Sequence, residues 1–296
     1  MVFQHPLAYL IGMEGLALLR AWAGDEDLDE AFVRARLAEV RRLLEDPELV
    51  GHAGVQVQTG ATGAVYDAWS AAYDDPGNAL FELDEPFLDE VLDTLPGGPA
   101  LDAACGTGRL AGRLRDRGHD AIGVDASAGM LEQARRRLPG LDLRLGDLGH
   151  LPVADGAVDL VVTGLALTHV PDLGPVFAEF ARVLRPGGHL VVSEVHPDLV
   201  LLGSLVKGLD PERRPRMAET HRHTPGDVLR ASLAAGFQVR RFEERRRTEK
   251  PAGPLPEESG GIGSWSQWPW TLVKLVPEAA SAAWAGPAVV LWHVQR

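Results

Sequence analysis

A chain of 296 residues, 45% of them hydrophobic, has material for one large core plus an appendage, and its single cysteine excludes an internal disulfide. The formal net charge of −13 argues against a duplex nucleic-acid binder, whose phosphate contacts need a basic surface. Cysteine usage fits a reducing, cytoplasmic setting.

The first apolar stretch, Pro6 to Trp22, is interrupted by Glu14 and Arg20, lacks a basic leader and is too short to span a bilayer. It reads as a buried helix, with neither a secretion signal nor a membrane segment implied. A second helix is expected from Leu28 to Leu44, where Val33, Leu37, Val40 and Leu44 form an apolar stripe and the arginines face away. Residues 1–55 are therefore expected to form an N-terminal helical cap or a homodimer contact, and the sequence leaves both open.

Tyr66, Trp69 and Tyr73 then recur at helical spacing, which puts three rings on one face. Such a stripe either packs into the core or touches a ligand. A further helix, Glu85 to Leu95, leads through Pro96-Gly97-Gly98-Pro99 into an apolar strand.

That strand opens the stretch around which the chain is organised, Ala100 to Leu114. It passes through Cys105-Gly106-Thr107-Gly108 and becomes helical, with Leu110 and Leu114 on one face. Glycines let backbone approach a ligand closely, and the amides opening a helix favour a negative group. Cys105 reads as a small packing residue. Asp125 ends the next strand, Ala121 to Val124, where a carboxylate can accept hydrogen bonds from both hydroxyls of a ribose. Gly106, Gly108 and Ala111 also satisfy the dinucleotide fingerprint, with Asp125 at about the 20-residue offset it requires. Asp102 favours a different ligand: a carboxylate at the edge of this turn repels a pyrophosphate and attracts the ammonium and sulfonium of S-adenosylmethionine.

The ordered motifs resemble the class I S-adenosylmethionine-dependent methyltransferases, in their small-molecule branch of the type 11 kind. Asp102-Ala103-Ala104-Cys105-Gly106-Thr107-Gly108 is similar to the family's first motif, with Ala104 in place of its first glycine. The stretch from Val124, through Asp125, Ser127, Met130, Leu131 and Ala134, resembles the acidic ribose loop and its helix, and Gly146-Asp147-Leu148 the adenine-contacting turn. The stretch from Asp159 resembles the fourth strand and its loop, and that from Val183 the fifth strand. The likeness is close from about Tyr66 to Val195. It implies that Asp102, Ala104, Gly106 and Gly108 hold the methionine end of the cofactor and Asp125 its ribose. It further implies that Asp147 and Leu148 hold the adenine, with Ala126, Met130 and Leu165 beside them, and that Tyr66 packs over the cofactor. S-adenosylhomocysteine would be the product.

Strand and helix then alternate, which demands a parallel sheet with helices on both faces. Strands are expected near Leu143, Val161, Val191, Val239 and, last, Ala288 to Val294. The expected fold is a Rossmann-like, doubly wound α/β sheet of seven strands, the last antiparallel as the resemblance implies, with an N-terminal helical extension. Residues 56–296 would form the methyltransferase domain, with insertions at the acceptor site near 197–223 and 246–285.

Ligands in such sheets bind beyond the carboxyl ends of the strands. Methyl transfer to oxygen needs a group that removes a proton, and a histidine does so near neutral pH. His196, after the fifth strand, is the first candidate base and His169, after the fourth, the second; Glu194 stands two residues before His196, on the same face by strand alternation, to orient it or to be buried beside it. His169 alternatively shapes the cofactor pocket or caps the next helix. His221 and His223 have no cysteine or third spaced ligand, so no metal is expected. Arg213, Arg214, Arg216 and Arg222 read as a solvated basic face or as a site for an acidic acceptor.

Thr224-Pro225-Gly226-Asp227 opens a helix that stops at Gly236. The run Arg245 to Lys250 reads as a solvated turn, and Pro251 to Ser264 as a mobile surface loop. Trp265, Trp268 and Trp270 follow, either as a lid over an apolar acceptor or as anchors of that loop in the core. With Trp69 and Tyr73 they are the candidate acceptor contacts, while Trp284 and Trp292 read as core. The expected activity is methyl transfer to a small organic acceptor, most simply at oxygen, without nucleic-acid or membrane partners. Nitrogen or carbon transfer, a non-catalytic cofactor-binding scaffold and a nicotinamide oxidoreductase are the alternatives.

Overall fold

Apolar runs at the centre of the chain alternate their side chains between two buried faces, and this alternation builds the main sheet. The computed structural model describes residues 1–25, 28–70, 73–74, 79–210, 212–247 and 261–296. By contacts the chain divides into two units, one of Met1–Thr59, Leu202–Met217 and Arg247–Gly286, the other of Gly60–Leu201, Ala218–Arg246 and Pro287–Arg296.

The second unit holds a seven-stranded sheet, labelled in chain order β1 (Pro99–Ala103), β2 (Asp120–Asp125), β3 (Asp142–Leu145), β4 (Val158–Gly164), β5 (Leu184–Val195), β6 (Gln238–Arg246) and β7 (Pro287–Gln295). The spatial order is β6-β7-β5-β4-β1-β2-β3. Only β7 runs against its neighbours, pairing antiparallel with β5 and β6, as expected of the last strand. In β1, Leu101 pairs with Ile122 on one side and Val161 on the other. Leu101, Val161, Val192 and Trp292 point to a core shared with the helices Leu173–Val183 and Pro225–Ala234. Ala100, Val162, Val191 and Leu291 point to the opposite core, with the helices Ala79–Leu92 and Arg109–Asp116. Two covered faces explain why these strands read as nearly continuous apolar runs. Helix Pro225–Ala234 opens with a capping box between Thr224 and Asp227, and the chain leaves it at Gly236, whose φ of 87° suits glycine.

The first unit is made from three separate stretches of chain. Its sheet has the order Val2–Gln4, Val55–Gly60, Pro215–Ala218, Lys207–Leu209. Helices Pro6–Ala23 and Glu30–Glu45 match the two expected at the N-terminus, and Leu10, Met13 and Ala17 of the first enter a core with Leu43, Trp265, Trp268 and Ala279. The parts of the expected insertions at 202–217 and 261–286 belong to this unit rather than to the one with the large sheet. Residues 248–260, which include most of the expected mobile loop, lie outside the described residues. Among the described residues no helix is long and apolar enough to cross a membrane.

The second helix does not present the expected face. Leu37 and Leu44 are about half exposed, at 47% and 52%, whereas Arg36 is buried. An ion pair accounts for the inversion: Arg36 donates to Glu14 at 3.1 Å and to Glu278 at 3.3 Å, with its guanidinium over the Phe32 ring. Glu14 is fully buried, so removing its cation strands a carboxyl away from water. Arg36→Ala is expected to cost about 3–5 kcal/mol, by the usual penalty for breaking a buried pair. Urea unfolding followed by the fluorescence of Trp265, Trp268 and Trp284, all in this unit, measures it.

Candidate active site

The turn after β1 bends through three left-handed residues, Ala104 (φ 63°), Gly106 (φ 53°) and Gly108 (φ 87°). The two glycines serve different ends. A Cβ on Gly106 would meet nothing within 4 Å, because the backbone there borders open space. At Gly108 a Cβ would lie 2.8 Å from Leu138 Cδ1, which would have to move, and the left-handed φ of 87° itself favours glycine. Asp102, almost wholly buried, accepts a hydrogen bond from the amide of Ala111 at 2.7 Å, and its Oδ1 has no partner among the described residues. Burial pushes this carboxyl up to about 7. The chain's own acid thus caps the helix Arg109–Asp116 where a phosphate would otherwise bind. Asp102 and Gly108 do not line the cavity above the turn.

That cavity, about 460 Å³, opens at the carboxyl ends of β1, β2 and β4, where strand order reverses. Asp125 lines it from the end of β2, its Oδ2 held by the amide of Gly106 and its Oδ1 by that of Ser127, each at 2.8 Å. A carboxylate offers about four acceptor positions, and with the Ala126 amide also facing this one, it keeps acceptor capacity for a ribose hydroxyl. Burial raises the Asp125 carboxyl above its ordinary range despite these bonds. Ala104, Ala126, Met130, Asp147, Leu148 and Leu165 also line the cavity. Leu165 holds a φ of 57°, and Asp147 Oδ1 accepts from the amide of Gly149 at 2.8 Å. Among the described lining residues none is Lys or Arg. Apolar walls, a ribose-competent carboxylate and no cation fit a nucleoside bearing positive charge, and they oppose a pyrophosphate.

Tyr66, Tyr73 and His169 close the cavity from another side. Tyr66 belongs to the helix Thr62–Trp69, which is tied down by the neighbouring Asp67: its Oδ1 accepts from Gly129 N at 2.8 Å and from Ser127 Oγ, at the start of the helix Ala128–Arg137. Trp69 packs on Tyr73 with ring centroids 5.0 Å apart but does not line the cavity. His169 ends the short turn Leu167–His169 after β4. Its Nδ1 lies 2.8 Å from the main-chain oxygen of Glu219 and its Nε2 3.0 Å from the Tyr66 hydroxyl. Burial lowers the imidazole's pKa, so it is neutral at physiological pH.

Glu194 and His196 are not partners. Glu194 is buried and accepts from the amide of Thr168 at 3.1 Å and from its own neighbour Val195 at 2.7 Å, which fastens the His169 turn to β5. His196 accepts from the Asp198 amide at 3.2 Å and meets Glu244 Oε1 at 3.3 Å, and it does not line the cavity. Of the two candidate bases the cavity therefore contains His169. The His221 amide donates to the Thr168 carbonyl at 2.7 Å and the Thr168 hydroxyl donates to the His221 carbonyl at 2.9 Å, while His223 Nε2 reaches the carbonyl of Val170, so both buttress this turn. Among the described residues no group of three or more His, Cys, Asp or Glu is placed to hold a metal ion. Arg214 and Arg216 are engaged by Asp210. The supporting roles of Asp67 and Glu219 had no local signal, because their partners lie 62 and 50 residues away.

Trp265, Trp268 and Trp270 all pack in the hydrophobic cluster of the first unit, and none lines the cavity. The indoles of Trp265 and Trp268 donate to Gln4 Oε1 at 2.8 Å and to the carbonyl of Ile262 at 2.9 Å. Trp270 meets Trp284 edge-on at 5.1 Å. They serve the core, as do Trp284 and Trp292, which are buried.

Residues 101–192 match the family model described as a methyltransferase domain. Over 160 residues the chain is 33% identical to a malonyl-[acyl-carrier protein] O-methyltransferase of Yersinia pestis, covering 54% of this chain and 60% of that protein. It is 39% identical over 109 residues to a demethylmenaquinone methyltransferase of Renibacterium salmoninarum, covering 36% and 46% of the two chains. The chain spans about half the length of the curated relatives it matches. Among solved structures, an S-adenosylmethionine-dependent methyltransferase from Mesorhizobium loti superposes with a TM-score of 0.51 at 23% identity, over 73% of this chain and 100% of that one, which shows a shared fold.

The Glu194 carboxyl stands at about 7, above its ordinary 4.5, because burial outweighs the amides it accepts from. The native state consequently holds an extra proton between those values. The stability this lends is complete below pH 4.5 and fades as pH rises through 7. Urea titrations should find the native chain losing roughly 2–3 kcal/mol between pH 4.5 and 7.5 relative to Glu194→Gln, which does not ionise.

Proposed function

We propose, on the premise that residues 101–192 form a class I S-adenosylmethionine-dependent methyltransferase domain, that this protein transfers the cofactor's methyl group to an oxygen of a small organic acceptor. The observation that carries the reading is the Asp125 carboxylate, pinned by Gly106 and Ser127 inside a cavity whose described lining has no Lys or Arg. In it Asp125 would hold the ribose, Asp147 and Leu148 the adenine, and the turn from Ala104 to Gly106 the methionine end. Asp102 would act from behind that turn, keeping the helix amide satisfied. When bound, the cofactor supplies an electrophilic methyl on a sulfonium and leaves as S-adenosylhomocysteine.

The chain's contribution is position and proton transfer. Aligning the acceptor with the methyl carbon provides much of the rate in a substitution of this kind. His169, neutral and in the cavity, is the base in this reading, and the buried Glu194 keeps its turn in place. Transfer to oxygen is supported by the need of a hydroxyl for such a base, and by the 33% identity to a malonyl-[acyl-carrier protein] O-methyltransferase. A cytoplasmic location belongs to the same reading and rests on cysteine usage.

Calorimetric titration with S-adenosylmethionine, S-adenosylhomocysteine and NAD tests the assignment: the first two should bind and NAD should not. Asp125→Ala should weaken binding of both about 100-fold or more, since it deletes hydrogen bonding to a charged group. Equal affinity would remove Asp125 from the site. His169→Gln should reduce turnover about 100-fold, on whichever acceptor a mass-gain screen identifies, while leaving cofactor affinity within about twofold.

A further inference from the structure

The bonding of His169 restricts how it can act. The main-chain oxygen of Glu219, 2.8 Å from Nδ1, can only accept, so Nδ1 carries the ring proton. Nε2 of the neutral ring then has a single lone pair, in the ring plane. The Tyr66 hydroxyl stands 3.0 Å from it and must therefore donate. While that bond stands, an acceptor's proton has no direct route to the histidine. Tyr66 Oη keeps lone pairs of its own, and Tyr66 lines the cavity.

We propose that Tyr66 is a catalytic residue that receives the acceptor's proton and relays its own to His169, an inference that rests on the methyltransferase reading. The acceptor O–H gives its proton to Tyr66 Oη as the Tyr66 O–H proton passes to His169 Nε2. The freed electron pair of the acceptor oxygen forms the new bond to the methyl carbon, and the pair of the broken carbon–sulfur bond stays on sulfur. The phenol is restored, the charge rests on the imidazolium beside the Glu219 carbonyl, and solvent takes the proton after product leaves.

Three features suit Tyr66 to this. Burial holds its phenol well above the ordinary range, so it passes a proton without ionising in the resting state. Its ring is seated edge-on against His169, with centroids 5.4 Å apart, and against the paired rings of Trp69 and Tyr73 at 5.9 and 6.1 Å. Asp67, the next residue, anchors the same helix to Ser127 and Gly129 and so fixes the hydroxyl's height above the cavity.

The test uses the full chain loaded with S-adenosylhomocysteine and labelled with ¹⁵N-histidine. The His169 signals should be those of the Nδ1-protonated tautomer with a hydrogen-bonded Nε2, and Tyr66→Phe should shift the Nε2 resonance selectively. In turnover on the acceptor found by mass gain, Tyr66→Phe and His169→Gln should each lower kcat about 100-fold, and the double variant little further, because both act in one relay. Cofactor affinity of Tyr66→Phe should stay within about twofold. A proton on Nε2, an Nε2 resonance indifferent to Tyr66→Phe, or Tyr66→Phe turnover within about threefold of the native rate overturns the relay while leaving methyl transfer intact. Failure of the native chain to bind S-adenosylmethionine would instead sink the underlying reading, and the relay with it.

Discussion

One buried hydrogen bond, from the amide of Ala111 to Asp102, sets the character of everything built above the central turn. A strand covered on both faces must hand its chain to a helix inside the protein, and the first amides of that helix have no partner of their own. Left bare, such an amide costs roughly 1–3 kcal/mol, and the usual remedy is an anion from outside. Here the strand brings its own acid. The Ala111 amide is thereby satisfied from within the chain, and a buried carboxyl instead of a bare amide stands behind the cavity. Asp125 completes the pattern by clamping the same turn to the start of the next helix through Gly106 and Ser127.

A second buried acid organises the opposite wall. Glu194 ends β5 with its carboxyl fastened to the turn after β4, and main-chain bonds from His221 and the Glu219 carbonyl hold that turn from the other side. The ring of His169 is thus held from both sides, its Nδ1 by the Glu219 carbonyl and its turn by Glu194. Two carboxyls with pKa values near 7 are the cost of holding these two turns in a dry interior.

What the sequence made legible follows the range of the forces involved. The seven strands, the Gly-rich turn and Asp125 are encoded by neighbours: apolar runs, glycine at left-handed positions, an acid at a strand end. The role of Glu194 was not legible, because strand alternation paired it with His196, whereas β5 ends at Val195 and a short helix begins at Pro197. Alternation stops applying one residue too soon. The second helix misled for a related reason: its apolar spacing was regular, but the burial of Arg36 is decided by Glu14, 22 residues away, and Glu278, 242 away. The tryptophans sit beside a stretch without periodicity, so only their distant partners, such as Gln4, fix them in the core.

The first unit is assembled from the beginning, the middle and nearly the end of the chain. Its N-terminal helix packs on the helix Pro277–Ala283, and the Arg36–Glu278 contact cannot form until more than two hundred further residues are made. Synthesis ahead of their partners therefore confers no priority in folding: until residues 277–283 are made, Leu10, Met13 and Leu43 lack part of the cluster that covers them, while the sheet-bearing unit already has most of its strands.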